Sequence, residues 1–307
     1  MSDLIPLVSI GLAVYNGEEY LELAIDSILA QTFTDFELVI CDNASSDRTE
    51  EICRQYAERD KRIRYYRNAK NIGGVNNENR TFELSRGKYF RLMAHDDLLA
   101  PELIAKSVRI LEENPEIILC YSNIAVIDSQ GKQIKTIKSS IGSEDQPYQR
   151  FKRLASREHH CEATYALTRS QILKQIDPQL NYSDSDRTFL VELGLWGKFY
   201  QIDEILFYKR YHPGRSIEVY EDRYRRMAWF YPDLDENNLP YSCYFMYWRQ
   251  VFHFIGTIFR APINLKNKLL CCAHVLVWVK RGRKKLIAEI EILIANNPLF
   301  GSKQYFF

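Results

Sequence analysis

Three short acidic segments lie in predicted loops and carry side chains of types that do chemistry in enzymes. They are Asp42, the run His95-Asp96-Asp97, and the run Asp184-Ser185-Asp186. A carboxylate can accept a hydrogen bond from a nucleobase, hold a divalent cation, or remove a proton from an alcohol. Each segment therefore has a functional interpretation, which stands beside a structural one.

Asp42 ends a predicted buried strand, so we expect its carboxylate at the edge of a sheet. There it could accept a hydrogen bond from a nucleobase donor such as the N3–H of uracil. Tyr15, which ends the neighbouring strand, could stack on that base. The structural alternative is an Asx-turn that opens the next helix, because Asp and Asn favour such loops. The residues alone leave both interpretations open.

The pair Asp96-Asp97 places two like charges side by side, and a divalent cation would relieve their repulsion. Oxygen ligands select Mg²⁺ or Mn²⁺, and such an ion could neutralise the charge that develops on a leaving diphosphate. A helix N-cap is the alternative, because a predicted helix begins at Pro101. An isolated acidic pair is a weak signal, and taken alone it favours the cap.

Asp186 precedes an apolar helical segment and could deprotonate an acceptor hydroxyl within hydrogen-bond reach. Helix capping by Asp184 or Asp186 is again the alternative. His212 could bind a metal or a phosphate oxygen as a neutral imidazole, and Arg210 and Arg215 could pair with a diphosphate. A structural histidine and solvated arginines are the alternatives for this second group.

Predicted strands and helices alternate from residue 7 to residue 121. The strands are Leu7–Val14, Phe36–Cys41, Ile63–Tyr66, Tyr89–Met93 and Ile117–Tyr121. They are mostly apolar and do not alternate between apolar and polar residues, which is typical of parallel strands that are buried on both faces. The alternation predicts an α/β fold with a mostly parallel sheet and ligands at the carboxyl ends of its strands. Over residues 129–160 we expect a hairpin and a mobile loop that covers the site.

The composition is that of a globular protein. The chain has 307 residues, of which 46% are hydrophobic and 26% charged, and its net charge of +1 argues against a nucleic-acid partner. The seven cysteines include no CxxC pair, so we expect reduced thiols packed as small apolar side chains. We expect no secretory signal and no membrane-spanning helix. The expected location is cytoplasmic, and peripheral attachment to the inner face of the membrane is one of two interpretations of the C-terminal segment.

The sequence from residue 223 onward is rich in aromatic residues. Residues 237–288 contain nine Lys and Arg residues and no Asp or Glu. This composition suits a helix that lies on an anionic membrane surface. Alternatively, the aromatic side chains pack on the preceding domain and the basic ones are solvated. We predict a helical extension over 223–307, with membrane contact through 237–288 as one of these two interpretations.

Taken together, these segments resemble glycosyltransferase family 2, whose members have the GT-A fold. The opening V-S-I-G-L-A-V-Y-N-G-E is similar to that family's first strand and nucleotide loop. Residues 29–49, L-A-Q-T-F-T-D-F-E-L-V-I-C-D-N-A-S-S-D-R-T, are the most specific part of the match. Few other families combine a Q-T-F/Y turn with a strand that ends in D-N/D-x-S-x-D-x-T. Asn71-Ile72-Gly73, Gly87-Lys88-Tyr89 and Asp96-Asp97 follow in the expected order.

The resemblance covers residues 6–216 and implies a GT-A domain over 1–222, with a nucleotide-binding half at about 1–125 and an acceptor half at about 126–222. It implies an inverting enzyme that uses a nucleotide-diphosphate sugar, above all a UDP-sugar. The implied acceptor is a saccharide or a lipid-linked molecule, as in the synthesis of surface polysaccharide or glycolipid.

The family's functional roles also carry over to positions of this chain. Asp186 would be the catalytic base, and Asp96 and His212 would hold a divalent cation, Mn²⁺ or Mg²⁺. The implied donor-binding positions are Ala13, Tyr15, Glu18, Asp42, Asn43, Asn71, Asp96 and Asp97. We expect the side chains at 42, 96 and 186 to converge on one cleft.

Three positions depart from the family's pattern. Ala94 stands where the first acid of the DxD motif is common, Ser185 where an acid often precedes the base, and Glu78 where many members have an arginine. The missing acid at Ala94 leaves fewer metal ligands and keeps open a catalytically silent nucleotide-sugar-binding or scaffold protein. A nucleotidyltransferase is a further alternative, although Tyr15–Glu18 lacks the glycine-rich basic phosphate loop of such enzymes.

Overall fold

The computed structural model describes residues 5–219, 226–234 and 245–296. The strands are β1 (Val8–Val14), β2 (Phe36–Asp42), β3 (Ile63–Arg67), β4 (Tyr89–Ala94), β5 (Leu98–Leu99), β6 (Ile117–Ile127), β7 (Gln133–Ile137), β8 (Leu167–Arg169) and β9 (Lys198–Arg210). The helices are α1 (Leu21–Leu29), α2 (Thr49–Arg59), α3 (Gly74–Glu83), α4 (Leu103–Glu113), α5 (Pro147–Ala155), α6 (Ser170–Leu173), α7 (Ser185–Trp196), α8 (Ser216–Val219), α9 (Met227–Phe230), α10 (Met246–Arg260) and α11 (Leu265–Asn296). A 3-10 helix spans Glu162–Tyr165. The domain boundary predicted between residues 222 and 223 lies outside the described residues.

The described strands form one nine-stranded sheet, in the order β3-β2-β1-β4-β8-β6-β9-β5, with β7 paired to β6. The first four strands of this order run parallel, and so does the pair β6–β9. Strand β8 joins these two parts through antiparallel pairing with β4 and β6. Every residue of β2 is buried, which explains why its central residues, 38–41, are all apolar rather than alternating. The predicted α/β fold with a mostly parallel sheet is therefore confirmed.

Two apolar cores hold the helices on the sheet. The first core packs α1, α2 and α4 on the N-terminal strands through side chains such as Ile25 and Leu103. The second core joins β6 to α5, α7, α10 and α11. Within it the rings of Phe151 and Phe254 meet edge to face, with centroids 5.5 Å apart. One face of the C-terminal helices thus packs on the domain that precedes them. None of the described helices combines the length and the apolarity needed to cross a membrane.

Within residues 129–160, β7 forms a hairpin with the preceding strand β6, and the segment also contains a helix, α5, that the sequence pattern did not indicate. Pro147 begins α5 in a position that proline tolerates, and Phe151 and Leu154 are buried in the second core. Arg150 is buried as well, and its guanidinium donates to the carbonyl oxygen of Gly194 at 2.6 Å. Because this charged residue occupies a buried position, the apolar spacing of α5 is interrupted, and the sequence pattern predicted a polar loop instead of a helix.

Candidate active site

The carboxyl ends of β1, β2 and β4 lie side by side at one edge of the sheet. The parallel register pairs Val14 with Asp42 and half-buried Ala13 with Ala94. Asp42 therefore ends β2 on one side of β1, and Asp96 follows two residues after β4 on the other side. This is the edge at which parallel α/β sheets hold their ligands.

The turn after β1 is held between the loop after β2 and the turn after β4. The amide of Gly17 donates to Thr49 Oγ1 at 2.9 Å. A Cβ atom at Gly17 would lie 2.5 Å from His95 Cδ2, so this close approach requires glycine. Glu18 is exposed in the same turn, and Tyr15 is 46% exposed there and accessible to a planar ligand.

Asp42 is fully buried, and both of its carboxylate oxygens accept hydrogen bonds from protein groups. Oδ1 accepts from the amide of Ser45 at 2.8 Å, and Oδ2 accepts from the hydroxyl of Tyr65 at 2.9 Å. Arg67 Nε lies 3.2 Å from the same Oδ2. The bond to Ser45 fixes a loop in which Ala44 has a φ of +62°. Direct contact of Asp42 with a nucleobase would require the displacement of one of these partners.

Asn43 and Asn71 connect the loop after β2 to the loop after β3. The Asn43 amide nitrogen donates to Asn71 Oδ1 at 2.7 Å. Asn43 Oδ1 accepts from the amide of Ile72 and from Asn68 Nδ2, each at 2.9 Å. Asn43 is buried and Asn71 is half-buried, so these two predicted donor-binding residues order the loop that leads into α3.

Asp96 and His212 are brought together although they lie 116 residues apart. His212 Nε2 is 2.9 Å from Asp96 Oδ2, and the His212 and Asp96 side chains are only 11% and 14% exposed. Burial by itself would raise the pKa of Asp96, but the hydrogen bond from His212 and the positive charge of His95 outweigh burial and lower that pKa. The Tyr20 ring packs against the His212 imidazole, with centroids 4.9 Å apart.

Asp97 has a structural partner of its own. Its Oδ1 accepts a hydrogen bond from the backbone amide of Arg210 at 2.8 Å. Burial, followed by the charge of Asp96, raises the pKa of Asp97 well above its usual value. The guanidinium of Arg210 donates to the carbonyl oxygens of Asp96 and Asp128, at 3.0 and 3.1 Å. Of the two arginines singled out in the sequence, Arg215 is the one that lines the cavity described next.

A cavity of about 440 Å³ opens between β4, α3, the start of α7 and the segment after β9. Asp186 lines it directly, whereas Asp42 and Asp96 are not part of its wall. Tyr165 belongs to the wall, and burial raises the pKa of its hydroxyl, with smaller contributions from acids that include Glu78 and Asp96. Of the three acids expected on one cleft, only Asp186 belongs to the wall of this cavity.

Two carboxyl groups of the cavity have raised pKa values. Burial is the main cause for Asp186, and the charge of Asp184 is the second. Asp184 has a φ of +70° and accepts a hydrogen bond from Arg157 at 2.8 Å. Burial, with the charge of Asp186, raises the pKa of Glu78 to about 8. At neutral pH Glu78 is consequently protonated and can donate a hydrogen bond.

Two further components of the cavity wall were not predicted from the sequence. Lys209 Nζ pairs with Glu162 Oε2 at 2.6 Å, with side chains 18% and 10% exposed. Trp229 and Phe230 of α9 form another part of the wall. No local pattern marks these residues, because their partners come from distant parts of the chain. Lys209 does belong to the segment that was singled out for His212.

Three ligand-type side chains also gather where α7 meets α10, at a place distinct from the Asp96–His212 pair. Asp177, Glu192 and His253 offer ligand atoms that lie within 4.8 Å of one another. Arg260 Nη2 donates to Asp177 at 2.6 Å and to Glu192 at 2.9 Å. His253 Nε2 lies 3.0 Å from Glu192. Since the guanidinium already supplies positive charge, we interpret this group as an ion-pair network between the two helices.

Comparison with known protein families finds a match that covers more than half of the chain. Residues 9–177 match the profile of Glycosyl transferase family 2. An uncharacterized glycosyltransferase of Methanocaldococcus jannaschii is 33% identical over 173 residues, which are 56% of this chain and 58% of that protein. Another, of Rickettsia prowazekii, is 30% identical over 239 residues, 71% of this chain and 70% of that protein. The chain thus covers less than two thirds of the archaeal relative.

Solved structures share the fold at low sequence identity. The crystal structure of S. aureus TarS 1-349 in complex with UDP-GlcNAc superposes with a TM-score of 0.64 at 16% identity, over 94% of this chain and 80% of that one. The mannosyltransferase PcManGT of Pyrobaculum calidifontis, in complex with GDP-Man and Mn²⁺, gives a TM-score of 0.50 at 15% identity, over 95% and 86%. This likeness confirms the expected GT-A fold.

Proposed function

The chain belongs to glycosyl transferase family 2, and on that premise we propose that it transfers a sugar from a nucleotide-diphosphate sugar to an acceptor hydroxyl, with inversion. The observation that supports this proposal most is the Asp96–His212 pair at the edge of the sheet, next to a cavity lined by Asp186. The proposed acceptor is a saccharide or a lipid-linked molecule of surface polysaccharide or glycolipid synthesis.

A UDP-sugar is the proposed donor, and the TarS structure with the same fold holds one, UDP-GlcNAc. Tyr15, exposed beside Ala13 and Glu18, would stack on the base. Because Asp42 is buried and satisfied, we assign it a positioning role: it holds the Ser45 loop around the base. Asn43 and Asn71 would hold the loop on the other side of the nucleotide.

A divalent cation, Mn²⁺ or Mg²⁺, is part of the proposal. Asp96 Oδ2 and His212 Nε2 lie 2.9 Å apart, close to the roughly 3 Å that separates neighbouring ligands when an octahedral ion has bonds of about 2.1 Å. Oxygen and imidazole nitrogen are also ligands that such ions accept. The residues therefore fit the ion, which would neutralise charge on the departing diphosphate. Ala94 offers no side-chain ligand, so we expect weak binding in the absence of donor.

Asp186 is the proposed general base. Its carboxylate takes the proton of the acceptor hydroxyl while that oxygen forms a bond to the anomeric carbon. The bond between the anomeric carbon and the diphosphate breaks, and its electron pair leaves with the diphosphate. Attack from the face opposite the leaving group inverts the configuration. Burial, which raises the pKa of Asp186, makes it a stronger base.

The substitution Asp186→Asn tests this assignment, because it keeps the shape of the side chain and removes the base. With Mn²⁺ and a panel of nucleotide sugars, we expect transfer to fall by about a hundredfold or more. Calorimetry should show that donor binding is retained. Asp35→Asn, at an exposed position, is the matched control.

Turnover that is unchanged in Asp186→Asn would remove this residue from the catalytic role. A wild-type chain that binds a nucleotide sugar but neither transfers nor hydrolyses it would instead identify a catalytically silent binding protein.

A further inference from the structure

The outer face of α10 is apolar although it faces solvent. Phe252 and Phe259 are each 65% exposed, and Ile255 between them is 38% exposed. Their spacing of three and four residues places them on one side of the helix, whereas Phe254 and Ile258 are buried in the second core. The helix therefore carries an uncovered hydrophobic stripe.

The first half of α11, which packs beside α10, carries a second such stripe. Leu265, Leu269 and Leu276 are 72%, 62% and 70% exposed. Cys271 and Val275, on the inner side, are buried in the second core. Monomeric soluble proteins seldom expose large apolar side chains in this number within so short a segment, and such surfaces mark sites of interaction.

Basic side chains accompany both stripes. The nine Lys and Arg residues of 237–288 have no acidic residue among them, although the whole chain has a net charge of only +1. The remainder of the chain is therefore net negative. In the middle of α11, residues 280–285 hold five of these basic side chains, at Lys280, Arg281, Arg283, Lys284 and Lys285. Within the ranges that the structure describes, none of the five forms an ion pair with a carboxylate.

The combination of apolar and basic side chains decides between two classes of partner. A second copy of the chain, packed through the same face, would bring the two basic clusters together, and their repulsion would oppose association. An anionic bilayer offers phosphates for the basic side chains and an acyl boundary for the apolar ones. The bilayer therefore satisfies both features at once.

We propose that α10 and the first half of α11 lie flat on a membrane that contains anionic phospholipid. Phe252, Phe259 and the exposed leucines of α11 enter the boundary between headgroups and acyl chains. The basic cluster of residues 280–285 binds lipid phosphates. This surface is separate from the cavity that Asp186 lines, so its test does not depend on sugar transfer.

Co-sedimentation of the full chain with vesicles tests the proposal. We expect binding to vesicles of phosphatidylcholine with phosphatidylglycerol, weaker binding to phosphatidylcholine alone, and loss of binding in concentrated sodium chloride. The pair Phe252→Ser and Phe259→Ser, and separately the triple change Arg281→Gln, Arg283→Gln and Lys284→Gln, should each weaken binding by about tenfold or more.

Matched controls are available elsewhere on the surface. Ile134→Ser removes an apolar side chain that is 57% exposed on β7, and Lys61→Gln with Lys174→Gln removes exposed charges. Both should bind vesicles like the wild type. Circular dichroism and the thermal midpoint would show that every variant folds.

Three outcomes would overturn the proposal. The first is the absence of binding to anionic vesicles, and the second is an equal loss of binding in the control variants. The third is a dimer, seen by light scattering, that Phe252→Ser and Phe259→Ser dissociate while vesicle binding stays unchanged. That result would identify the face as a contact between two copies of the chain.

Discussion

At the scale of single residues, two carboxyl groups of the cavity are suited to different roles, one as a base and one as a neutral hydrogen-bond donor. Asp186 lies beside another acid, Asp184, and burial makes it a better base. Glu78 holds its proton up to a pH of about 8 and so acts as a neutral donor. Many members of the family are expected to have an arginine at this position. A neutral Glu78 would offer a hydrogen bond to a sugar or acceptor oxygen, but no positive charge to a phosphate.

Asp184→Asn should move the acidic limb of the pH–rate profile to lower pH. The charge of Asp184 raises the pKa of Asp186, and a base must be deprotonated to act. Asparagine tolerates the left-handed φ of +70° at this position, so the backbone should be preserved. Measurement of kcat/KM against pH checks the shift. A limb that stays in place would mean that another group controls it.

Glu78→Gln should stabilise the protein in alkaline solution. The unfolded glutamate loses its proton near pH 4.5 and the folded one near 8. Below pH 4.5 both states are protonated and nothing is lost. As pH rises to 8 the wild type loses stability, because only the unfolded state ionises. Urea unfolding at about pH 9 should show a gain of up to about 5 kcal/mol for the variant. An equal gain at about pH 4 would indicate a packing effect instead.

At the scale of elements, helix α7 connects the proposed base to the C-terminal helices. Its first turn carries Asp186, and its middle is tied to α10 through Glu192, which is 1% exposed. Burial opposes ionisation of Glu192, yet hydrogen bonds from His253 and Arg260 lower its pKa. The C-terminal helices thus help to hold the helix on which the proposed base lies.

Arg260→Met should destabilise the protein by about 1 to 3 kcal/mol, because buried Glu192 would lose its guanidinium partner and keep only the hydrogen bond with His253. Urea unfolding measures this loss. Arg109→Met, on the exposed side of α4, is the matched control and should leave the midpoint unchanged. If both variants unfold at the wild-type midpoint, the network contributes nothing to stability.

Elements with a local pattern could be predicted from the sequence, and elements held by distant contacts could not. Strands β1, β2 and β4 are predominantly apolar segments, interrupted only by Ser9, Gly11, Glu37 and Arg91, and the acids at the end of β2 and after β4 follow a recognisable motif. Strand β9 mixes buried and exposed residues irregularly, and it pairs with β6, about 80 residues earlier. The Glu162–Lys209 pair spans 47 residues. Its formation depends on the folded sheet, which single-sequence periodicity does not describe.

At the scale of the whole molecule, the chain returns from its C-terminal part to its N-terminal half. Met227 and Phe230 are buried together with Val75 of α3. Lys70 pairs with Asp233 at 2.5 Å, 163 residues away in sequence. The loop ordered by Asn43 and the wall built by α9 consequently share one contact. A substitution that moves either α3 or α9 should therefore change the shape of the cavity wall.

Gly74→Ala should disturb that contact. A Cβ atom there would lie 2.1 Å from Trp229 Cζ2, so the indole must move. We expect a several-fold rise in KM for the nucleotide sugar and a change in tryptophan fluorescence. Gly282→Ala is the control, since its Cβ would meet only Trp278 at 4.0 Å. It should leave KM unchanged and stabilise α11 by up to about 1 kcal/mol. A wild-type KM in Gly74→Ala would show that the Trp229 wall does not affect donor binding.

The tight fit of Gly17 against His95 has a consequence for engineering. A side chain at position 17 would also lie 2.6 Å from Val14 Cγ2, so the first loop has almost no room to vary independently. A chimera that imports this loop from a relative must import the histidine-bearing turn after β4 with it. Recombination libraries with a crossover between residues 17 and 95 should therefore be depleted in active clones, whereas blocks that keep both segments from one parent should survive.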